Sequence, residues 1–551
     1  MCVALSAPGA VGAFGGPMLA VRAGGRARSW PRAGSAGRGA PSRHVAPPAS
    51  SMSVLALRGG QGVVEGLRSG SLTVGALYQQ SFWVLALACL VVQVVTRARA
   101  RRDGAGSDAE QLGAAELSLR NRFLAVFWLY KMADWLQGPY FYDVYASKLI
   151  GGLPVSADGV AKLFLAGFAT TMLVGPFVGG LVDALGRKKA SLAFAVAYAL
   201  GALSTAANSL PLLYAGRFFG GVGTSLLFSA PEAWLIGQSR SRGFGAKLLS
   251  QTFGLAYLGD SVVAMLAGQL AGKAAARSGP VAPFVVSTAF LAAGAALVAL
   301  TWRENYGEQQ TEQATSQAEP AAKTGSTADT RARPAAAAGA ASSGLLGRVG
   351  AACRAMASDR RIMLVGCVQA AFEGAMYTFV LVWPPALKAA VAAAAPAGAA
   401  VPFGAVFSCF MACCMLGSSA FSSAARAGVS AERTAVVMLA LGCAAMGLAT
   451  AAASRCALLA LSLALFAFEA CVGVYFPTIG TLRGKFLPDE HRGAIMNLFG
   501  IPLNLIVVTV FLSIGKLKTV GALGCATAAL GCALLAALGL QREGRRDGAA
   551  F

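Results

Sequence analysis

The chain has 551 residues, 56% of them hydrophobic and 13% charged, where ordinary soluble proteins carry roughly a quarter charged residues. Its formal net charge of +22 would suit nucleic acid, but the Lys and Arg residues fall between apolar blocks and form no continuous basic face, so no nucleic-acid partner is implied. With His44 and His491 as the only histidines, a histidine-based zinc site and a histidine-assisted catalytic triad are both excluded, and no cofactor loop takes their place.

In chain order, residues 1–75 form an extension rich in Ala, Gly, Ser and Arg, with no acidic residue before Glu65. That composition fits an organelle transit peptide and fits a disordered tail equally well. An apolar block at 76–96 is long enough to cross a bilayer and is followed by Arg97, Arg99, Arg101 and Arg102. Twelve further helices are expected near 121–142, 160–182, 190–208, 210–235, 250–273, 281–302, 361–388, 402–423, 433–453, 456–478, 492–515 and 518–540. They group into two six-helix halves, 120–302 and 361–540. Between them, 303–360 is low-complexity in Ala, Gln, Thr and Ser and reads as a disordered cytosolic loop, and 541–551 reads as a cytosolic tail. Most of the twelve cysteines lie inside apolar stretches without paired C-x-x-C spacing, as small packing residues do.

Orientation follows from the basic residues. If 97–122 is cytosolic, the loops on that side hold 28 Lys and Arg, including Arg426, Arg433, Arg483, Lys485 and Arg492. The opposite side holds eight: Lys148, Lys162, Lys273, Arg277, Lys388, Arg455, Lys516 and Lys518. A bias of this size supports the span count too, because one missed helix would scramble the alternation.

Between the second and third core helices stands Gly179-Gly180-Leu181-Val182-Asp183-Ala184-Leu185-Gly186-Arg187-Lys188-Lys189. The spacing of Gly179, Asp183, Gly186, Arg187 and Lys188 resembles the loop signature of major facilitator transporters, a tight cytosolic turn that gates their motion. The glycines permit close approach, and Asp183 is expected to meet a neighbouring helix N-terminus. Gly216-Arg217-Phe218-Phe219-Gly220 resembles the fourth-helix motif of the same proteins, and 417–426 is a degraded echo of the loop motif in the second half.

A narrower resemblance rests on Ala133-Asp134-Trp135-Leu136-Gln137-Gly138-Pro139-Tyr140, Leu227-Phe228-Ser229-Ala230-Pro231-Glu232-Ala233-Trp234, Pro280-Val281-Ala282-Pro283-Phe284 with Arg303-Glu304-Asn305-Tyr306, and Val474-Tyr475-Phe476-Pro477 followed by Asn497-Leu498-Phe499 and Pro502-Leu503-Asn504. Together these look like the molybdate-anion transporter family of the major facilitator superfamily, over about 76–540. The resemblance implies an all-α polytopic membrane protein with twelve core spans plus an extra N-terminal helix. It also implies a secondary transporter, not an enzyme, that moves molybdate or a related oxyanion by alternating access, coupled to an ion gradient as in a symporter. Members of that family usually carry basic residues where this chain has Gly500 and near Leu255, whereas Lys131 stands where an apolar residue is usual.

An ionisable group at the bilayer centre costs roughly 2.5–3.5 kcal/mol by insertion scales, so each one needs a reason. The candidates are Lys131, Asp134, Arg217, Glu232, Asp260, Glu373 and Glu469, with Gln137, Tyr140, Tyr377, Asn497 and Asn504 as polar or aromatic cavity lining. In the functional reading the carboxylates carry protons and the cations clamp the oxyanion, Arg through its bidentate fork. In the structural reading Asp134, Arg217 and Glu232 hold helices together, and Asp260 leans the same way because relatives tend to have amide or small residues there. Transport of another solute, such as a sugar or organic anion, stays open, as does a non-transporting membrane receptor. Lipids are expected partners, in the cell membrane or alternatively in a plastid or other organelle membrane.

Overall fold

The computed structural model describes residues 62–63, 65–102, 112–306, 345–488 and 490–549. Most of the N-terminal extension and the middle of the central loop therefore lie outside the described residues. Helix α1 (Val74–Arg102) corresponds to the apolar block at 76–96. Helix α2 (Ala114–Gln137) begins earlier than expected and gives way to a 3-10 turn at Gly138–Tyr140, where Pro139 removes a backbone donor. The chain continues through α3 (Phe141–Ala146) into a two-stranded hairpin, β1 (Leu149–Ile150) and β2 (Leu153–Pro154), antiparallel with Ile150 opposite Leu153. Helices α4 (Ala157–Leu185) and α5 (Arg187–Ser204) follow. The span expected at 210–235 is divided into α6 (Leu210–Leu227) and α7 (Ala230–Ser241), with Pro231 just inside the second piece. Helices α8 (Ala246–Ser278) and α9 (Ala282–Thr301) complete the first half.

The segment 303–360 departs from its expected disorder at its end, where Leu345–Ser358 forms α10. The second half comprises α11 (Arg360–Ala394), α12 (Phe403–Arg426), α13 (Ala431–Ser454), α14 (Leu458–Phe486), α15 (Arg492–Leu512) and α16 (Ile514–Ala549), the last broken at Lys518, φ 53°. Helix α16 carries the expected tail at 541–551 on as helix to Ala549. Ten helices among the described residues are long and apolar enough to cross a membrane. Helices α2, α5 and α6 fall outside that set, and each carries charge: Lys131 and Asp134, the Arg187-Lys188-Lys189 run, and Arg217. At 1.5 Å per residue the 18 residues of α5 and of α6 still reach about 27 Å.

Helix α11 is the most enclosed, with 89% of its most apolar stretch buried against 11% for α1, so α11 forms the centre and α1 the rim. Large apolar side chains such as Phe177 (75% exposed) and Leu441 (61%) face outward in mid-helix, as a lipid-facing surface requires. Although α1 precedes α2 in the chain, it docks on the second half. Tyr78 Oη lies 2.5 Å from Ser462 Oγ on α14, Cys89 Sγ donates to Ala412 O at 3.3 Å, and Gln93 Nε2 donates to Ser419 Oγ at 3.2 Å. The two halves meet reciprocally. Ser408 Oγ on α12 donates to Met265 O on α8 (2.8 Å), and Phe168 on α4 packs on Phe511 of α15 with centroids 5.8 Å apart. The fifth helix of each half thus touches the second of the other, as two repeats related by a pseudo-two-fold axis would do.

Candidate substrate and ion site

The first half gathers its charges where α2, α5 and α8 cross. On α2, Lys131 and Asp134 share a face at i, i+3, with Lys131 Nζ 3.8 Å from Asp134 Oδ2. The same ammonium lies 3.5 Å from Asp260 Oδ2 on α8 and over the rings of Trp135 (4.9 Å) and Phe228 (4.8 Å). Trp135 Nε1 donates to Asp260 Oδ1 at 2.6 Å, and Tyr198 Oη on α5 donates to Asp134 Oδ1. Lys131 is 2% exposed and belongs to this ion-pair cluster, not to the cavity lining beside it. Glu232 on α7 accepts from Tyr257 Oη at 2.7 Å, and Gln137 Nε2 donates to Ser287 Oγ at 3.1 Å.

Next to this cluster α2, α4, α5 and α6 enclose a cavity of about 60 Å³, with Asp134, Gln137, Tyr145, Thr171, Tyr198 and Arg217 among its walls. Arg217 Nε donates to Leu163 O at 3.2 Å, and the guanidinium stacks 4.9 Å from the Phe141 centroid. A Cβ at Gly167 would land on this guanidinium, so glycine there is what admits it. Arg217 also borders a second cavity of about 50 Å³ with Val380, Trp383 and Pro384 of α11, which places the arginine between the first half's interior and the seam of the two halves. Tyr140 (packed edge-on against Phe403) and Tyr377 (5.3 Å from Phe168) lie along that seam.

In the second half Glu373 on α11 is 1% exposed and accepts from Tyr475 Oη (2.8 Å) and Arg483 Nη2 (3.4 Å), both on α14. Arg483 Nε also donates to Gln369 Oε1 at 3.0 Å. The orientation reading counts Arg483 among cytosolic loop residues. Helix α14 runs further than expected, to Phe486, and buries Arg483 at 4% exposure because Glu373 waits one helix away. The signal was present in the sequence: Tyr475 and Arg483 are eight apart, which puts both on one face of a helix. Gln369 stands four residues before Glu373 on the same helix, which also puts the two on one face, whereas Tyr198 carries no comparable signal. Glu469 is buried with Oε2 lacking a hydrogen-bond partner. Asn497 is exposed on α15, and Asn504 Nδ2 donates to Gly500 O of its own helix at 2.7 Å, so neither joins the buried charges.

The gate motif folds as a turn at Gly186, whose φ of 101° suits glycine. Asp183, expected at a neighbouring helix N-terminus, instead accepts from Arg187 Nη2 at 2.8 Å, one helical turn on. The helix cap comes from Glu304, which accepts from Lys188 N (2.7 Å) and Lys189 N (3.1 Å) at the start of α5. Asn305 O accepts from Arg187 N at 3.0 Å, while Trp234 and Trp302 stack 3.8 Å apart behind the turn. Gly179 has open space around it and is not the point of close approach.

Helices in two reciprocally packed halves, with paired charges buried inside each, define a multi-pass membrane transporter of the major facilitator type. Solved structures agree on the fold. A D-xylose–proton symporter superposes with TM-score 0.55 at 12% identity, covering 77% of this chain and 96% of that one. The POT family transporter PepTSo gives 0.57 at 12% identity, covering 78% and 98%. The family model described as sugar transporters with 12 transmembrane helices matches residues 77–332 and 337–471. Among curated proteins, the molybdate-anion transporter of Takifugu rubripes is 31% identical over 77% of this chain and 88% of its own length. That of Danio rerio is 31% identical over 85% and 96%, and that of Xenopus tropicalis 29% over 68% and 74%. The chain belongs to the molybdate-anion transporter family.

Proposed function

We propose that the protein carries molybdate or a closely related tetrahedral oxyanion across a membrane by alternating access of twelve core spans, with protons as the coupling ion. The observation that carries this reading is Arg217 at the wall of the 60 Å³ cavity, where its Nε donates to Leu163 O and its guanidinium lies over Phe141. A guanidinium suits an oxyanion through its planar fork. Tyr145, Thr171 and Thr224 supply hydroxyls around the same space. A cavity of about 60 Å³ has room for a small inorganic anion. Asp134, on the same wall and bonded to Tyr198, is the group placed to take up a proton as the anion binds. The names of the relatives point to the same substrate. Uptake of molybdate into proteoliposomes, with and without an inward pH gradient and with sulfate and glucose as competitors, tests the proposal. Saturable uptake stimulated by the gradient and blocked by oxyanions supports it; uptake blocked by glucose alone overturns the substrate, and gradient-independent uptake overturns the coupling.

A further inference from the structure

Resting on that reading of a proton-coupled carrier, Lys131 and Asp260 take on a role that neither clamps substrate nor merely ties helices. Lys131 Nζ stands 3.5 Å from Asp260 and 3.8 Å from Asp134, and all three side chains are buried. One cation faces two carboxylates, so the trio carries an excess negative charge unless one carboxyl holds a proton. An uncompensated charge is expensive in a membrane interior, and the proton is its simplest compensation.

Beyond the trio, Arg217 on the wall of the same cavity as Asp134 adds one cation and Glu232 adds one carboxyl, so the excess stands. Tyr198 on α5 donates to Asp134. Glu232 on α7 is held by Tyr257 of α8, and among the described residues it forms no ion pair with Lys131; any charge on it deepens the excess. Arg217 on α6 lies at the cavity, where its Nε is bound to Leu163 O. Helix α9 has no titratable side chain, and α12 presents Phe407 to Trp135.

The carboxylates differ in situation. Asp260 is anchored by Trp135 Nε1 and is not among the cavity walls, whereas Asp134 lines the cavity and its Oδ2 lacks a hydrogen-bond partner. We infer that Asp260 is a positioning residue: by sharing Lys131 with Asp134 it obliges the trio to hold one proton, which Asp134 exchanges with the cavity. When Asp134 gives up that proton to the cavity, Lys131 is drawn toward it; when the proton returns, Lys131 reverts to Asp260.

Charge arithmetic makes this testable on the purified full chain, with no oxyanion present. The pH midpoint of the protonated-carboxyl infrared band is followed, the band being assigned by its loss in Asp134→Asn. Asp260→Asn leaves Lys131 and Asp134 as a neutral pair, so the midpoint moves to the acid side by about 10- to 1,000-fold in proton concentration. Adding Lys131→Met to that chain removes the cation as well and brings the midpoint back toward alkaline pH. Lys131→Met alone moves it alkaline from wild type, and it tests the same arithmetic should Asp260→Asn not fold. An unmoved midpoint in either single variant, or an acid midpoint that persists in the double variant, overturns the inference. Molybdate uptake is scored separately: its absence beside the expected titration shifts refutes the transport reading and leaves the proton site standing.

Discussion

Replacing Arg483 with Gln removes the only cation paired with Glu373 among the described residues, and both groups are almost wholly enclosed, at 4% and 1% exposure. What remains is a carboxylate that accepts from Tyr475 Oη at 2.8 Å, with Gln369 the other polar side chain of the cluster, and an Oε2 that lacks a hydrogen-bond partner. Removing one partner of a buried ion pair costs about 3–5 kcal/mol, because the other charge is left without compensation. At 1.4 kcal/mol per tenfold, that lowers the folded-to-unfolded ratio by on the order of 10²–10³. The new amide can still donate to one oxygen and recover part of the loss, so the lower end is expected. Arg483→Gln with Glu373→Gln removes both charges and should regain most of the stability, the two changes being strongly non-additive. Thermal unfolding in detergent, followed by loss of the monodisperse peak on size exclusion, measures all three chains. An Arg483→Gln protein as stable as wild type would refute the reasoning, since the pair would then be a contact without energetic weight.

Arg217→Lys keeps the charge but loses the planar fork, and Arg217→Gln loses both; the half-saturation concentration for molybdate should rise about tenfold or more for Gln and less for Lys, read from uptake curves. Glu304→Ala leaves the N–H groups of Lys188 and Lys189 without their acceptor; a loss of about 1–3 kcal/mol is expected, with faster protease cleavage at the 183–189 turn. Cysteine tags placed in 307–344 and at the chain's C-terminal end should label from the same side of the membrane, and labelling from opposite sides would break the twelve-span core. Tyr78→Phe removes the hydrogen bond between α1 and Ser462 while keeping the ring against Phe466; it should loosen α1 by about 1 kcal/mol in proteolysis of the 97–113 connection, and no change would mean that packing alone holds the helix.

Most spans announce themselves by an apolar run of bilayer length, and the basic residues between runs carry the expectation of their direction, because insertion is a local decision made on one helix at a time. Partner choice across the bundle is not local. Nothing in residues 76–96 says that α1 leaves its neighbour α2 and docks beside Ala412 and Ser462, since an apolar helix offers every lipid-facing groove a similar surface. The intramembrane charges were visible as candidates for the same reason that they are costly, yet their pairing was only half legible. Lys131 and Asp134 could be joined by helical spacing, whereas Asp260 joins them from α8, 126 residues beyond Asp134. Arg483 was misplaced because a basic residue near a helix end reads as a loop anchor until a buried acid on another helix outbids the headgroups for it. In this fold, therefore, a cation within two turns of a cytosolic helix end should be weighed against the unpaired acids of the central helices before it is assigned to a loop. Lys485, two residues on, shows the other outcome: it stays exposed and pairs at 2.5 Å with Glu432 at the start of α13, where water can share the charge.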